Sequence, residues 1–92
     1  MTESELICPT CGCNNLHHVG VRCYDRDRED APMTMMTIVR MGEAQTKTVP
    51  SERNPSSRRD AIVVEFACEQ CEGTKDFVIV QHKGTTYTSW SV

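Results

Sequence analysis

The sequence has few of the large apolar side chains that build protein cores. Only five of its 92 residues are aromatic (two Phe, two Tyr and one Trp), and the apolar share is 38%. A chain of this length buries roughly 60–65% of its unfolded surface. With so few large side chains, that burial gives only a marginal core. We therefore expect a single domain, residues 1–92, that needs a further source of stability.

Long apolar runs are also absent. No stretch approaches the ~18 consecutive apolar residues that a membrane-spanning helix needs. Residues 1–5 are polar and acidic, unlike the apolar segment of a secretion signal. These features predict a cytoplasmic protein with reduced thiols and no membrane contact.

The sequence also has no excess of basic residues. Ten Lys and Arg are outnumbered by thirteen Asp and Glu, which gives a net charge of −3 and a pI near 5.5. Domains that bind duplex DNA often have a pI above ~9. The balance therefore disfavours non-specific nucleic-acid binding, although the basic residues are locally clustered.

Cysteine, by contrast, is abundant, and four of the six cysteines form two C-x-x-C pairs. The first pair is followed at once by Gly12, and the second is followed one residue later by Gly73. Glycine suits the tight bend that turns backbone amides towards the sulfur atoms. Two such pairs predict one structural zinc ion held by four thiolates, and a closed shell of this kind leaves no position for catalysis. The predicted ligands are Cys8, Cys11, Cys68 and Cys71.

Two further cysteines leave the ligand set open. Cys13 lies two residues after Cys11 and offers an alternative third thiol. Together with Cys23 and a neighbouring histidine it could also form a second site. The simpler interpretation is that both are free thiols, with Cys23 on an inward strand face beside Val19 and Val21.

Strand patterns dominate the chain, and no segment has helical periodicity. The pattern predicts a mostly β fold, a zinc ribbon in which an antiparallel sheet of three to four strands supports two C-x-x-C knuckles. The predicted strands are 16–24, 61–67 and 77–82, with 85–91 as an added strand.

A long insertion separates the two knuckles. Fifty-six residues lie between Cys11 and Cys68, where ~15–20 are usual for paired knuckles. We predict an insertion at about 25–60, acting as a functional arm or tolerated as a loop. Within the insertion, the sequence predicts an exposed charged loop at 25–32 and a strand at 33–41. Residues 42–60 are polar and are predicted to be the least ordered part of the chain.

The charged residues of the insertion are the candidate contact residues. Arg58 and Arg59 follow two serines and could form a corner that binds an anion such as phosphate. They could equally pair with Glu29 and Asp30 and tie the insertion to the sheet. The full candidate binding set is Arg26, Arg28, Glu29, Asp30, Arg58, Arg59 and Trp90. Direct nucleic-acid binding would use Arg26, Arg28, Arg53, Arg58, Arg59 and Lys75.

Two resemblances follow from these motifs. The paired cysteines resemble those of the zinc-ribbon superfamily, which includes transcription factors, RNA polymerase subunits, ribosomal proteins and adaptors. Within it, residues 28–34 are similar to the acidic hairpin tip of the transcript-cleavage elongation factor. That similarity implies that Glu29 and Asp30 reach a polymerase active site and help to hold a metal. In that family the second cysteine pair follows shortly after the hairpin tip, whereas here no cysteine follows until Cys68.

The second resemblance spans nearly the whole chain. Residues 27–30, 54–60, 66–71 and 81–86, together with Trp90, resemble small zinc-ribbon proteins of bacteriophages and bacteria. This resemblance implies a zinc-ribbon fold and a bacterial or bacteriophage setting, but it implies no established activity.

We therefore expect a non-enzymatic binding module with one structural zinc ion. Its expected partner is a protein or a protein–nucleic-acid assembly, in a phage or transcription-related setting. Direct nucleic-acid binding is the first alternative, and a transcript-cleavage-like factor that uses Glu29 and Asp30 is the second.

Overall fold

The computed structural model describes residues 4–91, which form one antiparallel sheet of six strands. The spatial order of the strands is β3-β2-β1-β4-β5-β6. In residues 4–91 the single helix is a 3₁₀ turn at Ser51–Arg53, and no helix is long and apolar enough to cross a membrane. The strands are β1 (Leu16–Asp25), β2 (Met33–Arg40), β3 (Glu43–Pro50), β4 (Ala61–Cys68), β5 (Thr74–His82) and β6 (Thr85–Ser91).

The strand count differs from the predicted three to four. The mostly β class is confirmed, and β1, β4 and β6 lie close to their predicted bounds. Two further strands join the sheet: β2, predicted as a strand of the insertion at 33–41, and β3, which lies inside the stretch predicted to be least ordered. Seven of its eight residues are exposed and only Val49 is buried. Such a strand has no alternation of apolar and polar residues, so its sequence reads as a loop.

Tight two-residue turns connect the outer strands. Met41 and Gly42 join β2 to β3, and Lys83 and Gly84 join β5 to β6. All four residues have positive φ, between 51° and 81°. This is the type I′ geometry, whose twist matches that of the flanking strands. The two hairpins thus extend the central β1–β4 pair on both sides.

One face of the sheet carries the core. Tyr24 of β1 lies opposite Met36 of β2 and Ala61 of β4, so that the three side chains share a face. Val49 and Val63 complete a cluster whose members are each at most 7% exposed. We call this the core face. Ile38, Val78 and Val80 pack around its margin.

The prediction that Val19, Val21 and Cys23 face inward is wrong. The residues of β1 on the core face are Gly20, Arg22 and Tyr24, and Cys23 is exposed. Tyr24 offers more apolar area than the cysteine, and Arg22 reaches acids on two neighbouring strands. Hydrophobicity alone therefore assigned the wrong face.

An ion cluster closes the core face near the cysteine end. Glu65 of β4 accepts hydrogen bonds from both Arg22 and Arg40, and Arg40 Nε lies 2.7 Å from Glu65 Oε1. Arg22 also donates to Asp76 at 3.0 Å. Gly20 lies between the partners, and a Cβ there would come within 2.8 Å of the Arg40 side chain and collide with Glu65. The glycine thus provides the space in which the ions meet.

Candidate metal centre

The two C-x-x-C segments meet because the strands beside them are neighbours. The first segment leads into β1, and the second joins β4 to β5. In the antiparallel β1–β4 pair, Leu16 at the start of β1 lies opposite Cys68 at the end of β4. Both knuckles therefore lie at the same end of the sheet, although more than fifty residues separate them in sequence.

The sulfur atoms of all four predicted ligands cluster together. They lie within 4.8 Å of one another. Cys8 Sγ is 3.7 Å from Cys71 Sγ, and Cys11 Sγ is 3.5 Å from Cys68 Sγ. Cys8 and Cys68 are buried, whereas Cys11 is exposed. The arrangement can hold a metal ion that is shielded on its protein side and open to exchange on the other.

The first knuckle is held by its own backbone. The amide of Gly12 donates to the carbonyl of Cys8 at 2.9 Å, and the amide of Cys8 donates to the carbonyl of Cys13 at 2.8 Å. Gly12 has φ of 77°, a conformation that a side chain disfavours. The spacing of the pair and its glycine are thus a single structural unit.

The second knuckle repeats this logic. The amide of Gln70 donates to Cys68 Sγ at 3.4 Å. Gly73 closes the turn with φ of 87°. In each knuckle the first sulfur accepts a hydrogen bond from a backbone amide two or three residues later.

The four thiols fall into two classes: the pKa is lowered at the first cysteine of each pair and raised at the second. Donation by the backbone amide of Cys11 lowers the pKa of Cys8 to about 6, and the amide of Gln70 lowers the pKa of Cys68. The amide of Cys13 acts in the same direction on Cys11, but partial desolvation of the sulfur and hydrogen bonds with the nearby thiols outweigh it and raise the Cys11 pKa to about 12. Burial and Cys8 likewise raise the pKa of Cys71.

Each close sulfur pair therefore combines one acidified thiol with one that keeps its proton. Four thiolates cannot lie this close together without a cation, because their charges repel. A divalent cation removes that obstacle, and its binding releases the remaining protons.

Lys75 supports the second knuckle from within. It is only 5% exposed, and its Nζ donates to the carbonyls of Glu72 at 2.6 Å and Gly73 at 3.2 Å. Its hydrogen bond to Cys71 acts to lower that thiol's pKa. A buried ammonium here offsets part of the negative charge of a four-thiolate site.

The other sulfur and imidazole groups lie outside the cluster. Cys13 Sγ accepts a hydrogen bond from the amide of Asn15 at 3.3 Å. Cys23 is exposed within β1, and His17 Nε2 lies 3.0 Å from Glu69 Oε1. Within residues 4–91, the four-cysteine cluster is the one group of three or more Cys, His, Asp or Glu side chains with this geometry.

The predicted binding residues are not gathered into one surface. Arg26 is 6% exposed, and its terminal nitrogens donate to the carbonyls of Glu29, Ser51, Ser56 and Ser57. Arg58 donates to both carboxylate oxygens of Glu29 at 2.9 Å. The intramolecular alternative is therefore confirmed for this pair.

The remaining members of that set are dispersed. Arg28 lies beside Asp30 in an exposed pair, and Arg59 is exposed. Trp90 packs edge-on against Phe66 and Phe77, with ring centroids 5.7 and 5.0 Å away. Lys75, predicted as a nucleic-acid contact, is buried at the knuckle.

Sequence reasoning missed a partly exposed apolar surface on the face opposite the core. One row of cross-strand neighbours runs through five strands, and a second row beside it runs through β1, β4 and β5. Val39 and Ile62 are 46% and 42% exposed. We call this surface the outer face; its residues are Val39, Val21, Val64, Phe77 and Trp90 in the first row and Cys23, Ile62 and Ile79 in the second. The near-continuous apolar run at 61–67 is the signal that could have revealed it, because a strand that is apolar on both sides needs two covered faces.

Comparison with models of known protein families, with curated proteins and with solved structures finds no match to this chain.

Proposed function

We propose that the protein is a non-enzymatic zinc-ribbon binding module, in which one zinc ion held by Cys8, Cys11, Cys68 and Cys71 is structural. A tetrahedral ion with Zn–S bonds of ~2.3 Å has sulfur–sulfur edges of about 3.8 Å. The cross-knuckle distances of 3.5 and 3.7 Å are close to that value. This match is the observation that carries the zinc proposal.

The donor set supports a structural ion. Four thiolates saturate a tetrahedral ion and leave no position for water or substrate. Thiolate is also the ligand type that selects zinc over hard cations such as Mg²⁺. A reducing compartment such as the cytoplasm keeps these thiols available for the ion.

Cobalt substitution tests the ligand set. Co²⁺ bound by four thiolates in a tetrahedron gives strong visible absorption that Co²⁺ in solution lacks. We expect one Co²⁺ per chain with this spectrum, displaced by one Zn²⁺. Cys11→Ser should weaken the spectrum, whereas Cys13→Ser, its matched control two residues away, should retain it. A spectrum unchanged by Cys11→Ser would contradict the proposed ligands.

The outer face supports a protein partner. Its apolar rows cross the sheet, and Ile62 lies on the β4 strand at their centre. Contiguous apolar surface of this kind marks interaction sites more often than isolated exposed residues do. We therefore propose that a protein covers this face.

Paired substitutions test this contact. Proteins retained by the immobilised wild-type chain should be lost with Ile62→Asp on the outer face. They should be kept with Gln45→Asp, which changes an exposed residue on the opposite face. Equal retention by both variants would contradict the proposed surface.

Direct nucleic-acid binding is the weaker alternative. Five of the arginines pair their guanidinium groups with other groups of the same chain: Arg22 and Arg40 with Glu65, Arg26 with backbone carbonyls, Arg28 with Asp30 and Arg58 with Glu29. The alternative predicts binding to a labelled duplex or single-stranded RNA that weakens steeply with salt. We expect no binding at ~50 mM salt.

A role as a transcript-cleavage-like factor is also disfavoured. Glu29 is engaged by Arg58 through both oxygens, and Asp30 lies beside Arg28. Glu29 would have to leave Arg58 before its carboxylate could coordinate an external metal ion. Glu29→Ala and Asp30→Ala should leave polymerase transcript cleavage unchanged.

A further inference from the structure

The outermost strand, β6, is an unprotected sheet edge. Within residues 4–91 it pairs with β5 alone, and its residues are exposed except for the half-buried Trp90. Its seven residues, Thr-Thr-Tyr-Thr-Ser-Trp-Ser, include no charge, no proline and no glycine. The opposite edge, β3, carries Glu43 and Lys47 and ends at Pro50. Charges and proline are the usual means of blocking an edge from pairing, so only β3 is blocked.

The turn before β6 determines which of its backbone groups are free. His82 and Thr85 flank the two-residue turn and are paired across it. In this type of hairpin the flanking pair is hydrogen-bonded, and bonded and non-bonded pairs then alternate along the strands. Tyr87 and Ser89 therefore direct their backbone groups towards β5. The N–H and C=O groups of Thr86, Thr88 and Trp90 point out from the edge.

We propose that β6 pairs with β6 of a second copy of this chain, antiparallel, with the two-fold axis at Thr88. In this register Thr88 faces Thr88 of the other copy, and Thr86 faces Trp90. These are the residues with outward backbone groups, so three bonded pairs form with about six hydrogen bonds. The two six-stranded sheets become one continuous sheet.

The composition of the strand favours a second copy as its occupant. An isologous contact places each residue against its symmetry mate or near it, so any charge close to the axis meets a like charge. β6 has none to meet. At the centre two threonines face each other, a cross-strand pair that stabilises antiparallel sheets through hydroxyl contacts.

The contact is small, and this sets its strength. A single strand pair buries less than the ~1,200 Å² of a standard interface, so the dimer is weak. We expect a Kd between about 10 μM and 1 mM. Dimerisation uses the backbone groups of the sheet edge, whereas the proposed partner would cover side chains of the outer face, to which β6 contributes Trp90.

Sedimentation velocity of the metal-loaded full chain from about 1 μM to 1 mM tests the proposal. The wild type should shift from monomer to dimer across this range. Thr88→Lys places like charges on the axis, and Thr88→Pro removes an outward N–H without touching the β5 ladder. Both variants should raise the Kd at least tenfold. Thr46→Lys, the same kind of substitution on exposed β3, should leave it unchanged.

Hydrogen exchange gives a residue-level readout of the same event. The amides of Thr86, Thr88 and Trp90 should slow as concentration rises, while those of Tyr87 and Ser89 are already protected in the monomer. A wild-type chain that stays monomeric to ~1 mM, a dimer that survives both Thr88 variants, or a dimer lost with Thr46→Lys would overturn the proposal.

Discussion

Glu65 is the one buried acid among residues 4–91, and it organises the ion cluster of the core face. Hydrogen bonds from Arg40, and secondly from Arg22, hold the pKa of this carboxyl below its ordinary value, although burial acts against them. An ion pair placed in this way is costly to break from one side, because Arg40 then loses its acid and Arg22 keeps Asp76 alone.

Glu65→Gln should therefore destabilise the metal-loaded protein at pH 7 by about 3 kcal/mol in denaturant unfolding. Because the folded pKa of Glu65 is lowered, its contribution is complete above the unfolded value of about 4.3. It is lost as pH falls through the folded value. The difference in the free energy of unfolding between the wild type and Glu65→Gln should thus narrow below pH ~4.3. A difference that is constant with pH would show that the charge of Glu65 is not the cause.

Lys75 is a second buried charge, and it stabilises the knuckle that carries Cys68 and Cys71. Its Nζ bonds the carbonyls of Glu72 and Gly73. Lys75→Met should speed loss of the metal to a chelator by at least about tenfold, which is the usual effect of removing a group that supports a metal ligand. Lys47→Met, on exposed β3, is the matched control. Equal rates for the two variants would contradict this role.

At the residue scale the sequence revealed the cysteines and little else of the site. Four cysteines could be predicted to meet because the spacing of each pair is set by the ligand geometry itself. Glu65 and Lys75 lie within strand patterns, where a charged residue is ordinarily assigned to the exposed face. Their burial depends on partners from other strands, which a local pattern does not specify.

The turns are the elements where sequence and conformation fit least well. Met41 is 98% exposed and has φ of 51°, which is costly for a residue with a long side chain. Asparagine followed by glycine is the preferred pair for this turn. Met41→Asn should therefore raise the free energy of unfolding by roughly 0.5–1 kcal/mol.

Met41→Val is the control at the same position. A β-branched side chain is strongly disfavoured at positive φ, so this variant should be less stable than the wild type. If both variants change stability in the same direction, the turn conformation is not the cause.

The strands divide clearly by how well their sequences specify them. β4 and β6 were located closely because their β-branched and aromatic residues are concentrated between turn residues. β3 was missed because it is a polar edge strand, held by its hairpin to β2 rather than by an apolar face of its own. The cross-strand register, and with it the outer face, follows from turn geometry that the sequence only partly displays.

Across the whole molecule, one sheet is fixed at both of its ends. At one end the knuckles connect the start of β1 to the end of β4. At the other end, Arg26 donates hydrogen bonds to backbone carbonyls of the loops around residues 29 and 51–57, and so holds these loops together. Between them the apolar core is small, with five buried members. A core of this size is marginal, and a metal ion bound by the four cysteines would be the principal source of stability.

Thermal unfolding under reducing conditions, with one equivalent of Zn²⁺ or with excess chelator, tests this central claim most directly. A structural zinc site contributes on the order of 10 kcal/mol to folding, and each kcal/mol shifts the Tm of a domain this size by about 4–8 °C. We predict that chelation lowers the Tm by at least about 20 °C or abolishes the cooperative transition. An identical Tm and circular dichroism spectrum with and without the metal would contradict the account.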